Sequence, residues 1–493
     1  MRFQRVLLTL GLFVSTVQAQ LMPRWQTRYG GPLDSDIVHA LAVDRHSGHL
    51  YVTGERFGDY FTVAYDQNGH QLWTRSYTSS PDDYDRAMAV AVDPNSGNVY
   101  VTGVSAQSYA TVAYDRRGNQ LWATRYRGPI DGGGYAQAIA VDPSRGTVYV
   151  TGSAATVFFP LPPPYYGVYR FDYATVAYDP ANGNPLWTSF YAGPTGNSNS
   201  SAKALATDRE TGNIYVTGYS PGIGSNDDYA TVAYDRDGNQ LWATRYNGPG
   251  NGSDDASAIA VDAEAEHVYV TGASDGQGSG SDYATVAYDT RTGNQLWVAR
   301  YNGPGNEDDG ASAIAVDEKS GHVYVTGGSF GSSTYTGGSG FDYATLAYDA
   351  EGKQLWLARY NGTGNGDDMA SSIAVRHESG TVYVTGESWG GPTDFDYATV
   401  AYNPHNGEQL VVQRFSGPSR DSATAIAVDP ERDSVYVTGT SEDPVTGGQS
   451  TVTIAYRAND ADHCSKRAPQ GQSTKWSSER VDSSRHECSE EHD

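Results

Sequence analysis

Eight copies of one pattern, four alternating segments per copy, and a first segment that supplies what the last copy lacks together predict an all-β chain: an eight-bladed β-propeller of four-stranded antiparallel blades. The segment YVTG recurs at Tyr51, Tyr100, Tyr149, Tyr215, Tyr269, Tyr324, Tyr383 and Tyr436, at spacings of 49, 49, 66, 54, 55, 59 and 53 residues. Each unit contains segments of the form AIAVD, VYVTG, ATVAYD and QLWATRY, which we call strands A, B, C and D. Their period-two alternation and their wealth of Val, Tyr, Thr and Ile are the marks of strands. Repetition of such a unit at this period predicts radially arranged blades.

The elements follow in order. Residues 1–19 read as a secretory signal peptide: Arg2 and Arg5 precede an apolar run from Val6 to Val17, and Val17-Gln18-Ala19 offers a small-residue cleavage site. A lone D strand, Arg24–Tyr29, opens the propeller, which is expected over residues 20–457. Within each unit the A-to-B connection DxxxG and the C-to-D connection DxxGN are tight hairpin turns, because Asp bonds the turn backbone and Gly accepts positive φ. The last unit has A (Ala423–Asp429), B (Val435–Gly439) and C (Thr451–Tyr456) but no D. The first strand therefore completes the last blade, which closes the ring and leaves no gap between its ends. Residues 458–493 lose the pattern, are polar, carry both cysteines (Cys464 and Cys488), and read as a disordered tail.

Composition narrows the function. Lys+Arg 33 against Asp+Glu 58 gives a formal charge of −25. This excludes nucleic-acid binding through a basic surface and attraction to anionic lipid. Past the leader, no apolar run reaches the length of a membrane span. The expectation is a secreted or periplasmic protein, cleaved near Ala19, with no membrane insertion and no nucleic-acid partner, and a monomer.

These repeats resemble the secreted bacterial propeller repeats of the SBBP and YVTN type over residues 24–457. The C-to-D hairpin also resembles the tryptophan-docking repeat AxDxxTGxxxW of quinoprotein (PQQ-like) propellers, matched in full by Ala287, Asp289, Thr292, Gly293 and Trp297. The resemblance implies that Trp25, Trp73, Trp122, Trp187, Trp242, Trp297 and Trp356 pack between neighbouring blades, each worth ~2–3 kcal/mol by area; Val411 stands where the seventh blade would have its Trp. Quinoprotein alcohol dehydrogenases carry adjacent cysteines beside the cofactor; the predicted propeller has none, and their calcium ligands and catalytic Asp map onto no residue here. No cofactor is firmly implied, PQQ is not expected, and calcium is the one candidate.

Candidate sites come from comparing the units. The D-to-A and B-to-C loops share one face, the upper face, which holds the long irregular connections and is where binding belongs. Five residues before the Asp of strand A, or its equivalent, the units carry His39, Met88, Gln137, Lys203, Ser257, Ser312, Ser371 and Thr424. This column should border the upper channel mouth, with His39, Met88, Gln137 and Lys203 as ligand-binding candidates. Three residues earlier lie Asp36, Asp85, Gly134, Ser200, Asp254, Asp309, Asp368 and Asp421. The six carboxylates either cap backbone N–H groups or form a ring that holds Ca²⁺. One large insertion, between Gly152 and Tyr173, contains Phe158, Phe159, Tyr165 and Tyr166 around a stiff Pro-rich run, which makes them docking candidates. The reading is a non-catalytic binding or scaffold protein that takes a protein or glycan partner on its upper face. The alternatives are an enzyme in the channel mouth, either a PQQ-like dehydrogenase or a glycan-cleaving enzyme using His39 with Asp36 and Asp85, and a structural cell-surface component.

Overall fold

The computed structural model of the protein describes residues 20–80, 83–161, 167–196, 198–332 and 338–459. The leader 1–19, the tail beyond Asn459 with its two cysteines, and the insertion residues Tyr165 and Tyr166 lie outside the described residues. Among the described residues there are 32 strands in eight four-stranded sheets. No helix among them is long and apolar enough to cross a membrane.

Blade 1 shows the plan: β2 (Asp36–Asp44), β3 (His49–Arg56), β4 (Asp59–Tyr65) and β5 (Gln71–Tyr77) pair in that order. Blades 2 to 7 repeat it over residues 85–126, 134–191, 201–246, 254–301, 309–360 and 368–415. Blade 8 joins the two ends of the propeller. Its sheet order is β1 (Gln20–Tyr29), β32 (Gln449–Asn459), β31 (Ser434–Glu442), β30 (Asp421–Asp429). The register runs from Gln20 opposite Asn459 to Tyr29 opposite Thr451, with an irregularity at Pro23 that an outer edge strand tolerates. Both end strands extend past the expected limits, to Gln20 and to Asn459.

Side chains of the repeat explain why the blades stack. In each blade the buried threonines of strands B and C pair, as Thr102 and Thr111 do at 2.9 Å. The first Tyr of strand C donates its hydroxyl to a backbone carbonyl of the next blade: Tyr60 to Ala110, Tyr109 to Ala174, Tyr173 to Ala230, and so on to Tyr397 and Val452. Each D-strand Trp reaches the C-to-D turn of the following blade, where its indole N–H donates to a carbonyl, as from Trp73 to Arg116 at 3.0 Å and from Trp25 to Gln67 at 2.8 Å. The turn glycine is required twice over. Gly118 has φ +79°, and a Cβ there would sit 2.6 Å from the Trp73 indole. Trp25 makes the same contact with Gly69, so the first strand docks blade 8 on blade 1.

That docking rule also accounts for Val411. The indole of one blade needs the C-to-D turn of the next, and blade 8 has no such turn, because its C and D strands come from the two ends of the propeller. Blade 7 therefore has no docking turn to reach.

Candidate functional site

Strand A is innermost in every blade, and each A strand contains one β-bulge on the side of the upper face. In blade 1 the register against β3 shifts between Val38 and Ala40, leaving His39 as the extra residue. The same shift isolates Met88, Gln137, Lys203, Ser257, Ser312, Ser371 and Thr424. The variable column is thus a ring of bulge residues. A bulge frees one side chain from the alternation of its strand and re-aims it, which lets this position vary while the residues flanking it are Ala in all but Val38 and Ser372. Some members serve the scaffold: the Ser371 hydroxyl donates to the carbonyls of Thr385 and Ala423.

The Asp column is arranged differently from a carboxylate ring. Asp254 accepts the N–H of Gly248 and of Asp275; Asp309 those of Gly303 and Phe330; Asp368 those of Gly362 and Trp389. Asp421 accepts from Gly417, Asp85 from Ser79, and Asp36 takes the Arg56 guanidinium at 2.6 Å. All six are buried. Each carboxylate ties its own D-to-A loop to its own blade, and among the described residues no three His, Cys, Asp or Glu are grouped so as to hold a metal ion. Burial outweighs the bonds these carboxylates receive, the Arg56 pair of Asp36 included, and pushes Asp36, Asp368 and Asp421 up to about 6.

The acid–base group expected around His39 is likewise not assembled, since Asp36 and Asp85 are held inside their blades by the bonds just given. The charged neighbours of His39 are Glu55 and Arg86. Its Nε2 is buried and makes no hydrogen bond, and burial holds the imidazole below the usual histidine range. Glu55 Oε2 accepts from the Tyr84 hydroxyl at 2.6 Å and from Arg86 Nε at 2.7 Å. Lys203 lies elsewhere on the mouth, its ammonium 5.3 Å from the Tyr219 ring centroid and within electrostatic reach of Asp255. The mouth cations Arg86, Lys203 and Arg420 thus each face a carboxylate: Glu55, Asp255 and Glu387. Among the described residues, these three mouth cations offer a polyanionic quinone such as PQQ no unmatched positive charge.

The insertion is a long hairpin. In blade 3, β11 (Val148–Phe159) and β12 (Val168–Tyr178) continue past their neighbours, pairing Phe158 with Tyr169 and Phe159 with Val168. The Phe158 and Tyr169 rings lie 5.0 Å apart, and both remain partly exposed, at 46% and 43%. Behind them Arg170 is bound to Asp172 and to the Gly196 carbonyl, which anchors the base of the hairpin.

Among the described residues, large exposed apolar side chains on the upper face are more numerous in one half of the ring. Val445, Leu33, Phe57, Tyr84, Ile130, Tyr135 and the hairpin belong to blades 8, 1, 2 and 3; Ile223 and Met369 are their described counterparts in blades 4 to 7. The loops entering blades 5, 6 and 7 instead repeat one Asn-braced form: Asn247 donates to Asn251, Asn302 to Asn306 and Asn361 to Asn365. Sequence reasoning found the hairpin and the bulge column but missed Glu55, Phe57, Tyr84 and Arg86. Their signal was present, as departures from the repeat just after YVTG (Glu55, Phe57) and on either side of the column residue Asp85 (Tyr84, Arg86).

Three comparisons bear on identity. The family described as "Outer membrane protein assembly factor BamB" (PQQ_2) matches residues 24–277 and 172–484. No curated protein matches. Among solved structures, the Dos1 propeller is similar at TM-score 0.55 and 11% identity, covering 89% of this chain and 95% of that one. The quinohemoprotein alcohol dehydrogenase of Comamonas testosteroni is similar at TM-score 0.53 and 15% identity, covering 88% and 76%. That of Pseudomonas putida HK5 is similar at 0.55 and 15%, covering 90% and 77%. At these identities the likeness is one of fold.

Proposed function

The chain belongs to the PQQ_2 repeat family of the outer membrane protein assembly factor BamB, and on that premise we propose that it is a secreted or periplasmic, non-catalytic binding scaffold. Its partner is a protein that docks on the upper face over blades 8 to 3. The observation that carries this reading is the unequal distribution of exposed apolar groups on a face that is otherwise built to one repeated plan. The aromatic pairs on the B-to-C hairpins of blades 6 and 7, Phe330–Phe341 and Trp389–Phe395, are half-buried, whereas the blade 3 hairpin runs further out and exposes Phe158, Phe159 and Tyr169, and clustered exposed aromatics on a rigid support make good anchors. The family description, an assembly factor, agrees with binding and not with catalysis, as does the separation of His39 from Asp36 and Asp85.

The partner's matching surface is apolar and neutral or basic, because the charge of −25 repels acidic proteins. The hairpin provides the main anchor through Phe158, Phe159, Val168 and Tyr169. Replacing residues 156–169 with a short Gly/Ser connection touches no strand shared with another blade and should leave the melting temperature within a few degrees. Captured partners identified by mass spectrometry should be lost with this variant. Unchanged capture by a folded variant would place the binding surface elsewhere.

A further inference from the structure

At the boundary of blades 1 and 2 four departures from the repeat meet. The first is Phe57, which is 65% exposed and has φ +50°. It is the first residue of a two-residue hairpin turn with Gly58 at φ +83°, a position where Asn or Gly is the ordinary choice and a bulky side chain is strained. The second is Tyr84, 49% exposed, whose ring lies against the Phe57-Gly58 turn, 3.5 Å from where a Gly58 Cβ would be. The third is the Glu55–Arg86 pair. The equivalents of Glu55 in the other blades are Val104, Ser153, Tyr219, Ala273, Gly328, Glu387 and Thr440; of these only Glu387 is acidic, and it pairs across its blade boundary with Arg420, which stands at the position of Tyr84 and not of Arg86. The fourth is His39, with its buried, unpartnered Nε2.

The chemistry of the cluster selects its ligand. Glu55 and Arg86 neutralise one another at 2.7 Å, so neither an anion nor an ammonium group finds net opposite charge. What remains is polar but uncharged hydrogen-bonding capacity. Glu55 Oε1 and His39 Nε2 carry no hydrogen bond among the described residues, and the Arg86 guanidinium has more donors than it uses. The exposed Phe57 side chain and the Tyr84 ring, one face of which lies under the Arg86 guanidinium at 5.2 Å, belong to the same boundary. Apolar faces next to mixed donors and acceptors match a ligand with an apolar C–H face and hydroxyls around its edge.

We propose that this boundary is a sugar-binding site, in which Phe57 and Tyr84 pack on a neutral pyranose ring while Glu55, His39 and Arg86 exchange hydrogen bonds with its hydroxyls. The proposal rests on the reading of the upper face as the binding face, but it uses residues outside the hairpin. The matching turn of blade 2 also holds two non-glycine residues at positive φ, Ala106 and Gln107, so what sets blade 1 apart is the aromatic side chain that Phe57 exposes on this turn.

The test is calorimetric titration of the full chain with maltohexaose, cellohexaose, xylohexaose and chitohexaose. At least one should bind with a stoichiometry of one. Phe57→Ala should weaken it on the order of tenfold, with the melting temperature within a few degrees of the parent, because Phe57 is 65% exposed and Ala keeps the same backbone strain. Glu55→Gln, which keeps the shape and removes the ion pair, should weaken it less. The hairpin-shortened variant should keep its sugar affinity, so that failure of the sugar site and failure of the protein-docking reading are separate results. Absence of binding by all four sugars, binding indifferent to Phe57→Ala, or tighter binding of choline or of a hydrophobic peptide at this boundary would each overturn the proposal.

Discussion

Buried carboxylates set the behaviour of single residues in this protein. Asp368 receives two backbone N–H groups, from Gly362 at 2.7 Å and Trp389 at 3.1 Å. Asp368→Ala leaves both donors without their acceptor in a buried site, at a cost of about 2–4 kcal/mol, to be read from urea denaturation; a loss below about 0.5 kcal/mol, the scale of an ordinary surface substitution, would show that the loop does not depend on this bond. The same burial has a consequence for pH. Asp36, Asp368 and Asp421 are pushed up to about 6, above the unfolded value near 3.8. The folded state therefore binds protons that the unfolded chain has released between pH 4 and 6. Stability from these groups is fully present below the unfolded value and is lost as pH rises through about 6. The melting temperature should rise from pH 7.5 to pH 5, the reverse of ordinary acid denaturation; a flat or falling curve over that interval would contradict the assignment.

Strands and turns are held by a relay in which each blade's Trp docks on the next blade's turn. Trp25 is the relay's closing member, and it sits on the first strand. Trp25→Ala removes the indole from Gly69 and the bond to Gln67, and should cost about 3 kcal/mol in chemical denaturation. Val411→Trp should add no stability, because blade 8 has no C-to-D turn to receive an indole. A gain comparable to the Trp25 loss would show that the docking partner had been misidentified. At this scale the sequence was highly legible. YVTG spacing, the Asp-Gly turns and the missing last D strand predicted the blade count and the closure by β1. Legibility stopped where register decides. The bulge that isolates His39 and its equivalents adds one residue without changing the local composition, so the column was visible as variable but not as a bulge. Glu55 and Arg86 are far apart in the chain and meet only through the stacking of two blades, which no spacing rule encodes. The Asp column was legible as a repeat, and burial then decided between capping and a shared metal ring.

Across the whole molecule the ring is regular in its core and unequal on its upper face. Blades 5 to 7 repeat the same Asn-braced loops, while blades 8 to 3 carry the apolar groups, the hairpin and the strained Phe57. The central claim is that a protein partner docks over blades 8, 1, 2 and 3. The direct measurement is site-specific photo-crosslinking, with benzoylphenylalanine placed at Phe158 or Leu33 in one half and at Gly278 or Asp308 in the other. The account predicts that the probes at Phe158 and Leu33 give a discrete adduct with one and the same partner, abolished in protein shortened across 156–169 for the Leu33 probe, and that Gly278 and Asp308 give none. Equal adducts from both halves, or an adduct from Gly278 and Asp308 alone, would contradict it.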